Sequence, residues 1–197
     1  EDAYATLNPL LGWTPRERVH IRVIDDVDSS NGFASVIPFN AITLLAFPPA
    51  MGSDLGHYDD WVRMLIFHEY AHIVHLDNAE KVPHALNTVF GKAFKPNQAL
   101  PRWFTEGLAT WAETVATSAG RVGSSRYEMV MRTASLADDL PTIDAITGPP
   151  IKLPRATSWY LYGSALIDHI ARHAGEAALR EYIAAYGRRI IPYAMNI

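Results

Sequence analysis

The segment from Trp61 to Phe67 is apolar at almost every position, and it constrains the fold more than any other feature of the sequence. Asp59 or Asp60 can supply an N-cap, and we predict a helix from there to about Leu76. A helix that is apolar on nearly all sides must be covered by other elements on most of them. The rest of the chain is therefore expected to pack around this central helix.

The remaining sequence predicts an α+β fold, with a small amino-terminal sheet followed by a mainly helical body. Residues 1–50 are interpreted as strands separated by turn residues. The three candidate strands are 19–24, 33–37 and 41–47. Pro83 and the glycine and prolines of 91–101 predict an irregular connection, and the prolines of 141–154 predict a long loop. Four further helices are predicted, at 101–117, 125–136, 158–173 and 176–186.

Composition limits the class of protein. With 197 residues, of which 49% are apolar and 19% charged, the chain can build one globular domain with its own core. We expect a single domain over 1–197, with a sheet-rich lobe at 1–50 and a helical lobe at 55–197. A net charge of -4 without a basic stripe argues against nucleic-acid binding. No membrane span is expected, and the absence of cysteine excludes disulfides and thiolate metal sites.

The two ends of the sequence suggest a piece of a longer protein. The first residues are acidic and polar, so no signal peptide is visible. Residues 190–197 are mostly apolar, whereas natural tails are usually polar. We therefore expect additional domains in the full-length protein.

The central helix carries the sequence His68-Glu69-Tyr70-Ala71-His72. Two histidines four residues apart share one helix face, so their imidazoles can bind one metal ion at about 2.0–2.1 Å each. Glu69 projects about 100° away, which suits a base that takes a proton from an activated water rather than a ligand. The alternative is a pair of satisfied core histidines. Metal binding is favoured, because burying both histidines without partners is costly.

A catalytic zinc site needs a third protein ligand. His75 lies on the same helix, cannot easily complete a tetrahedron, and is interpreted as a supporting or surface histidine. Glu106 is the better candidate, because it lies on the next predicted long helix, 34 residues after His72. Gly107 would permit close helix approach, and Glu113 could hold a ligating imidazole by a hydrogen bond. The alternative for both glutamates is a solvated acidic face.

The motif HExxH, followed by Trp103-x-x-Glu106-Gly107-x-Ala109, resembles the gluzincin metallopeptidases. The resemblance is to the peptidase-MA-like family, which is related to the aminopeptidase-N superfamily, and it covers roughly residues 31–187. It implies a zincin-like fold that holds one zinc ion per chain. The residues that it implies are the ligands His68, His72 and Glu106, the base Glu69, and Glu113 behind a ligand.

The same resemblance implies a residue that stabilises the oxyanion. Superfamily members carry a tyrosine in a Y-x-x-G motif, which corresponds here to residues 160–163. Tyr160 is the implied oxyanion stabiliser. Tyr162 is the alternative at this position.

In proteins of the superfamily, an edge strand also lines the substrate cleft. The corresponding strand here begins with Gly32, Phe33, Ala34 and Ser35. It lacks the acidic residue that grips the free amine of aminopeptidase substrates, which favours an endopeptidase. The strand could still hold an extended peptide by edge pairing.

These observations predict a zinc metallopeptidase that hydrolyses peptide or protein substrates. Two alternatives remain open: a zinc-bearing interaction module without catalysis, and a helical protein without metal. The presence of Glu69 favours the enzyme, because a structural zinc site does not need it. Many proteins of the family are exported from bacteria, so the resemblance implies a periplasmic or extracellular location rather than a cytoplasmic one.

Overall fold

The computed structural model describes residues 1–53, 55, 56, 58–117 and 120–190. Within these residues the chain has the predicted α+β fold, a small sheet followed by a mainly helical body. Residues 191–197, which carry most of the apolar carboxyl end, lie outside the described residues. No helix in the described part of the chain is long and apolar enough to cross a membrane.

The sheet contains three strands, which are β1 (His20–Ile24), β2 (Ser30–Ser35) and β3 (Ala41–Ala46). The first and third agree with the prediction, whereas β2 begins three residues before the predicted 33–37 and ends at Ser35, so residues 30–32 are strand rather than turn. Their order is β1-β3-β2, with β1 parallel and β2 antiparallel to β3. Ile42 and Leu44 of β3 are buried, because that face packs on the helical body. Strand β2 lies at one edge of the sheet and contacts the central helix.

Eight α-helices occur in the described residues. They are α1 (Asp2–Leu11), α2 (Trp61–Asp77), α3 (Lys81–Phe90), α4 (Arg102–Thr117), α5 (Ser125–Leu136), α6 (Ile143–Thr147), α7 (Thr157–Ala174) and α8 (Glu176–Gly187). Short 3-10 turns precede α4 and α5, at Pro96–Ala99 and Arg121–Gly123. The helices predicted at 101–117, 125–136, 158–173 and 176–186 are confirmed.

Helix α2 is the central element that its apolar sequence predicts. Asp60 caps it, because its carboxylate accepts a hydrogen bond from the backbone N–H of Arg63 at 3.0 Å. The helix packs against α1, α4 and the two strands β2 and β3. Its burial on several sides holds the HExxH residues in fixed positions between the sheet and α4.

Three helices were not predicted. The interpretation of residues 1–50 as strands is wrong for α1, which buries Ala3, Leu7 and Leu11 on one face and ends at the left-handed Gly12. The irregular connection after the central helix begins with α3, where Pro83 lies in the first turn and removes no helical hydrogen bond. The loop of 141–154 contains the short helix α6.

Helices α4 and α7 cross at two glycines. A Cβ atom on Gly107 would lie 2.4 Å from the carbonyl carbon of Gly163, and one on Gly163 would lie 2.2 Å from the carbonyl oxygen of Trp103. Gly107 therefore permits a close helix approach, as predicted, but the helix that approaches is α7 and not the central helix α2. This contact sets where the first turn of α7 lies relative to α4.

We predict that Gly163→Ala destabilises the fold by roughly 1–3 kcal/mol or more, because the added methyl group meets rigid backbone. Thermal or urea unfolding measures this. Gly148→Ala is the matched control, since a Cβ there meets nothing within 4 Å and should leave stability unchanged or slightly raised. Equal stability of the two variants would contradict the close crossing of α4 and α7.

Candidate metal centre

His68, His72 and Glu106 come together between α2 and α4. Each offers one ligand atom, and these atoms all lie within 4.8 Å of one another. The Oε2 atom of Glu106 lies 3.4 Å from Nε2 of His68 and 3.2 Å from Nε2 of His72. The three side chains are nearly buried, and together they could hold a metal ion.

The two separations between Glu106 and the histidine nitrogens fit a tetrahedral ion. Ligand bonds of about 2.0–2.1 Å at tetrahedral angles place neighbouring donor atoms about 3.3 Å apart. The two imidazole-to-carboxylate distances, 3.4 and 3.2 Å, lie on either side of that value. The donor set therefore suits a small ion with nitrogen and oxygen ligands.

Glu113 supports the first histidine, as its spacing from Glu106 predicts. The Nδ1 atom of His68 lies 2.9 Å from Oε2 of Glu113, which is completely buried. When Nε2 faces a metal, the proton of the ring is on Nδ1, and His68 donates it to this carboxylate. Glu113 therefore orients the imidazole, and the Nη2 atom of Arg121 lies 2.8 Å from the same Nδ1 atom.

Arg121 lies at the candidate centre, although nothing in the sequence singles it out. Its Nε and Nη2 atoms donate to the two carboxylate oxygens of Glu113 at 2.8 and 2.7 Å. Its guanidinium also lies over the ring of Tyr160, with 4.9 Å between Cζ and the ring centroid. The buried Arg121 thus contacts both Glu113, which hydrogen-bonds to His68, and Tyr160 of the cleft. No spacing rule points to it, because it comes from a 3-10 turn after α4.

Glu106 and Glu113 are both held ionised, and their negative charges favour a positive charge at His68 or beside it. Burial alone raises the pKa of Glu113, but Arg121 and the hydrogen bond with His68 outweigh it and hold that pKa at about 2. Burial likewise opposes ionisation of Glu106, and the two histidines still lower its pKa. Burial and Arg121 lower the pKa of His68, yet Glu106 and Glu113 raise it to about 9.

Glu69 lies against the sheet rather than among the ligands. A Cβ atom on Gly32 of β2 would lie 2.6 Å from both Cγ and Oε1 of Glu69. The absence of a side chain at Gly32 therefore leaves the space that the Glu69 side chain occupies. This position agrees with the 100° that separates Glu69 from the histidine face of the helix.

Tyr160 and Tyr162 point to different sides of α7. Tyr160 lines the same cleft as the three ligands, and its ring centroid is 5.9 Å from that of His68. Tyr162, two residues and about 200° further round the helix, is buried with Tyr127 and Ile146 in an apolar cluster that Tyr160 contacts only from its partly buried side, and Tyr162 does not line the cleft. The structure therefore brings Tyr160, and not Tyr162, to the candidate centre.

His75 is neither a ligand nor a surface residue. Its side chain is 1% exposed, and its ring packs against Phe104, with 5.6 Å between centroids. Both ring nitrogens lack a hydrogen-bond partner among the described residues. Burial lowers its pKa to about 3, helped by His72. The interpretation of His75 as a supporting or surface histidine is wrong, because it is a neutral core residue.

The candidate centre lies at the base of an open cleft of about 540 Å³. Residues 31–34 of β2 line it, and so do Arg102, Arg121 and Tyr160 from the helical body. Of the predicted edge-strand residues, Gly32, Phe33 and Ala34 line the cleft, whereas Ser35 is not among the lining residues. Leu65 and Leu100 add apolar surface.

We predict that Arg121→Met destabilises the fold by about 3–5 kcal/mol, because it leaves the buried carboxylate of Glu113 without its cation. The double variant Arg121→Met with Glu113→Gln removes both charges and should recover much of that loss. Urea unfolding of the two variants and the parent measures the coupling. Additive effects of the two substitutions would show that the pair is not coupled.

No protein-family model, curated protein or solved structure matches this chain. The assignment to the gluzincin metallopeptidases therefore remains a prediction from the motifs.

Proposed function

We propose that this chain is a zinc-dependent metallopeptidase of the gluzincin type, with a zincin-like fold and similarity to the peptidase-MA-like family. One observation carries the proposal. The two histidines and Glu106 converge at separations that suit zinc, while Glu69 stays outside this set and still lines the same cleft. A purely structural site would have no use for a carboxylate in that position.

The donor set favours zinc over other common ions. Two imidazole nitrogens and one carboxylate oxygen, with room for a further ligand, are typical of catalytic zinc. When bound there, zinc lowers the pKa of a water molecule and polarises a carbonyl group. His68, His72 and Glu106 would hold it, with His68 oriented by Glu113.

The chain's own residues then supply the acid and base chemistry. Glu69 accepts the proton of the attacking water and later passes it to the leaving amine. Burial and the nearby Glu106 raise the pKa of Tyr160 to about 12, so its phenol keeps its proton at neutral pH. Tyr160 therefore donates a hydrogen bond to the carbonyl oxygen as negative charge develops on it.

Strand β2 is the proposed platform for the substrate. Its outer edge is unpaired within the described sheet, so a peptide can add to it as a further strand. Residues 31–34, which line the cleft, include no carboxylate that could bind a free α-amine. This favours cleavage within a chain over removal of single residues from an amino terminus.

The decisive experiment measures zinc and peptide cleavage on the same purified chain. We expect about one zinc per chain, cleavage of a pool of internally quenched peptides, loss of cleavage on chelation and recovery when zinc is returned. Magnesium should not restore cleavage, because it prefers an all-oxygen octahedral site.

The other outcomes separate the alternatives. Zinc binding without cleavage of any peptide would favour the interaction module. Absence of zinc, even after reconstitution, would identify His68 and His72 as core histidines of a metal-free protein.

A further inference from the structure

Arg102 occupies an unusual place at the candidate site. It is the first residue of α4, one turn before the candidate ligand Glu106, and it lines the cleft. Its side chain is 56% exposed, in contrast to the buried Arg121. The amino end of a helix disfavours a positive charge, because the helix dipole is positive there. Helix stability therefore does not explain an arginine at this position.

The guanidinium of Arg102 is held in a defined orientation. Its Nε atom lies 3.3 Å from Oε1 of Glu106, and its Cζ atom lies 4.4 Å from the ring centroid of Trp159. Stacking on an aromatic face leaves the edge of the guanidinium free. Among the described residues, neither Nη atom of Arg102 has a hydrogen-bond partner. These two atoms form the planar fork that matches a carboxylate.

Glu106 is the only carboxylate in contact with this guanidinium among the described residues, and it is also a candidate metal ligand. Arg121 is neutralised by Glu113, with which it forms two hydrogen bonds. A divalent ion held at the candidate centre would offset the two carboxylates of Glu69 and Glu106, which also line the cleft. With Glu106 shared between that ion and Arg102, these groups carry one surplus positive charge, and Arg102 is the exposed arginine among them. The group that complements the cleft is therefore an anion.

We propose that Arg102 binds a carboxylate of the substrate, so that the enzyme prefers peptides with an acidic side chain or a free carboxyl terminus close to the scissile bond. This inference rests on the proposed metallopeptidase function. Its physical basis is the stacked guanidinium fork beside the candidate ligand Glu106.

The test uses zinc-loaded chain and a defined set of probes. These are acetylated hexapeptides of alanine, phenylalanine and leucine, with a single Glu or Gln at each position in turn, made with either a free or an amidated carboxyl terminus. The parent should cleave the preferred acidic member about 10–100-fold more efficiently, in kcat/KM, than its neutral counterpart, as expected for a charge-assisted hydrogen bond. The Glu/Gln pairs and the acid/amide pairs separate the two sources of the carboxylate.

Variants of Arg102 assign the preference to this residue. Arg102→Gln should abolish the discrimination, while Arg102→Lys should keep part of it, because the charge remains but the fork and the stacking are lost. Arg172→Gln is the matched control, since Arg172 is an exposed arginine of α7 that pairs with Asp168 outside the cleft. Zinc content is measured on every variant, because Arg102 also contacts Glu106.

A binding measurement, made on a variant that does not cleave peptides, tests the role of Arg102 independently. In the zinc-loaded Glu69→Gln chain, titration with the same hexapeptides can be followed by tryptophan fluorescence, because Trp159 lies under the guanidinium of Arg102. The acidic peptide should bind about tenfold more tightly or better, and the difference should disappear when Arg102→Gln is added.

The results distinguish this inference from the function on which it rests. Peptides that are cleaved equally well with Glu or Gln, and as acid or amide, would overturn the role of Arg102 and leave the metallopeptidase intact. A preference that persists in a zinc-loaded Arg102→Gln variant would also overturn it. Failure to cleave or bind any peptide would overturn the proposed function, and this inference with it.

Discussion

Glu69→Gln should lower kcat for peptide cleavage by about 10²–10⁴-fold, while zinc content stays at the level of the parent. The substitution keeps the shape of the side chain, which fills the space beside Gly32, but the amide cannot accept the proton of the attacking water. Glu69 is not one of the three grouped ligand atoms, so the metal should remain. Steady-state kinetics and metal analysis on the same preparation measure both effects.

Glu128→Gln is a suitable control for Glu69→Gln. Glu128 is an exposed glutamate of α5 whose partner is Arg132, and it does not line the cleft. The control should retain the activity of the parent. Cleavage by Glu69→Gln at the rate of the parent would show that another group is the base.

Glu106→Ala should weaken zinc binding by more than about 100-fold, beyond the effect that losing a hydrogen-bonding partner of a ligand usually has. The substitution removes the oxygen that lies 3.4 and 3.2 Å from the two histidine nitrogens. Two ligands from one helix then remain, and the carboxylate that favours a cation between them is gone. Competition with a chelator of known affinity measures the change, and the cleavage rate should fall with zinc occupancy.

Glu113→Gln provides a graded comparison for Glu106→Ala. It removes the charged acceptor behind His68, so zinc affinity should fall by about 10–100-fold. Because the same change leaves the buried Arg121 without its carboxylate, urea unfolding of the variant is measured alongside and the affinity is determined on folded chain. Glu106→Ala should have the larger effect on zinc affinity, because Glu106 would contact the metal directly, whereas Glu113 acts only through His68. Zinc bound by Glu106→Ala as tightly as by the parent would exclude Glu106 as a ligand.

Several parts of the fold could be predicted because local sequence specifies them. Helix α2 has a capping aspartate and an apolar surface on most sides, and α4 follows a proline suited to a first turn. The strands were predictable from short apolar runs between turn residues. Helix α1 was missed although Ala3, Leu7 and Leu11 have helical spacing, and α3 was missed because Pro83 was interpreted as a break.

The choice between Tyr160 and Tyr162 illustrates what local sequence leaves open. Both tyrosines belong to the predicted helix. The Y-x-x-G motif favours Tyr160, but it does not determine which of the two side chains faces the histidines. The contact of Gly163 with the backbone of Trp103 sets how α7 lies on α4, and Tyr160 lies one turn before that contact. The rotation of the helix then carries Tyr162 to the far side.

By itself, the sequence determined the chemistry that the central helix can offer. Two histidines one turn apart, with a glutamate on a neighbouring face, follow from the helical repeat once Trp61–Asp77 is helical, because neighbours along a helix have fixed relative directions. Tertiary structure alone decided which distant groups complete the site. The distance of Glu106 from the histidines, the contact of Arg121 with Glu113 and Tyr160, and the stacking of Arg102 on Trp159 all depend on how separate elements pack. No local periodicity encodes these contacts, because they join residues whose separation along the chain does not limit their separation in space.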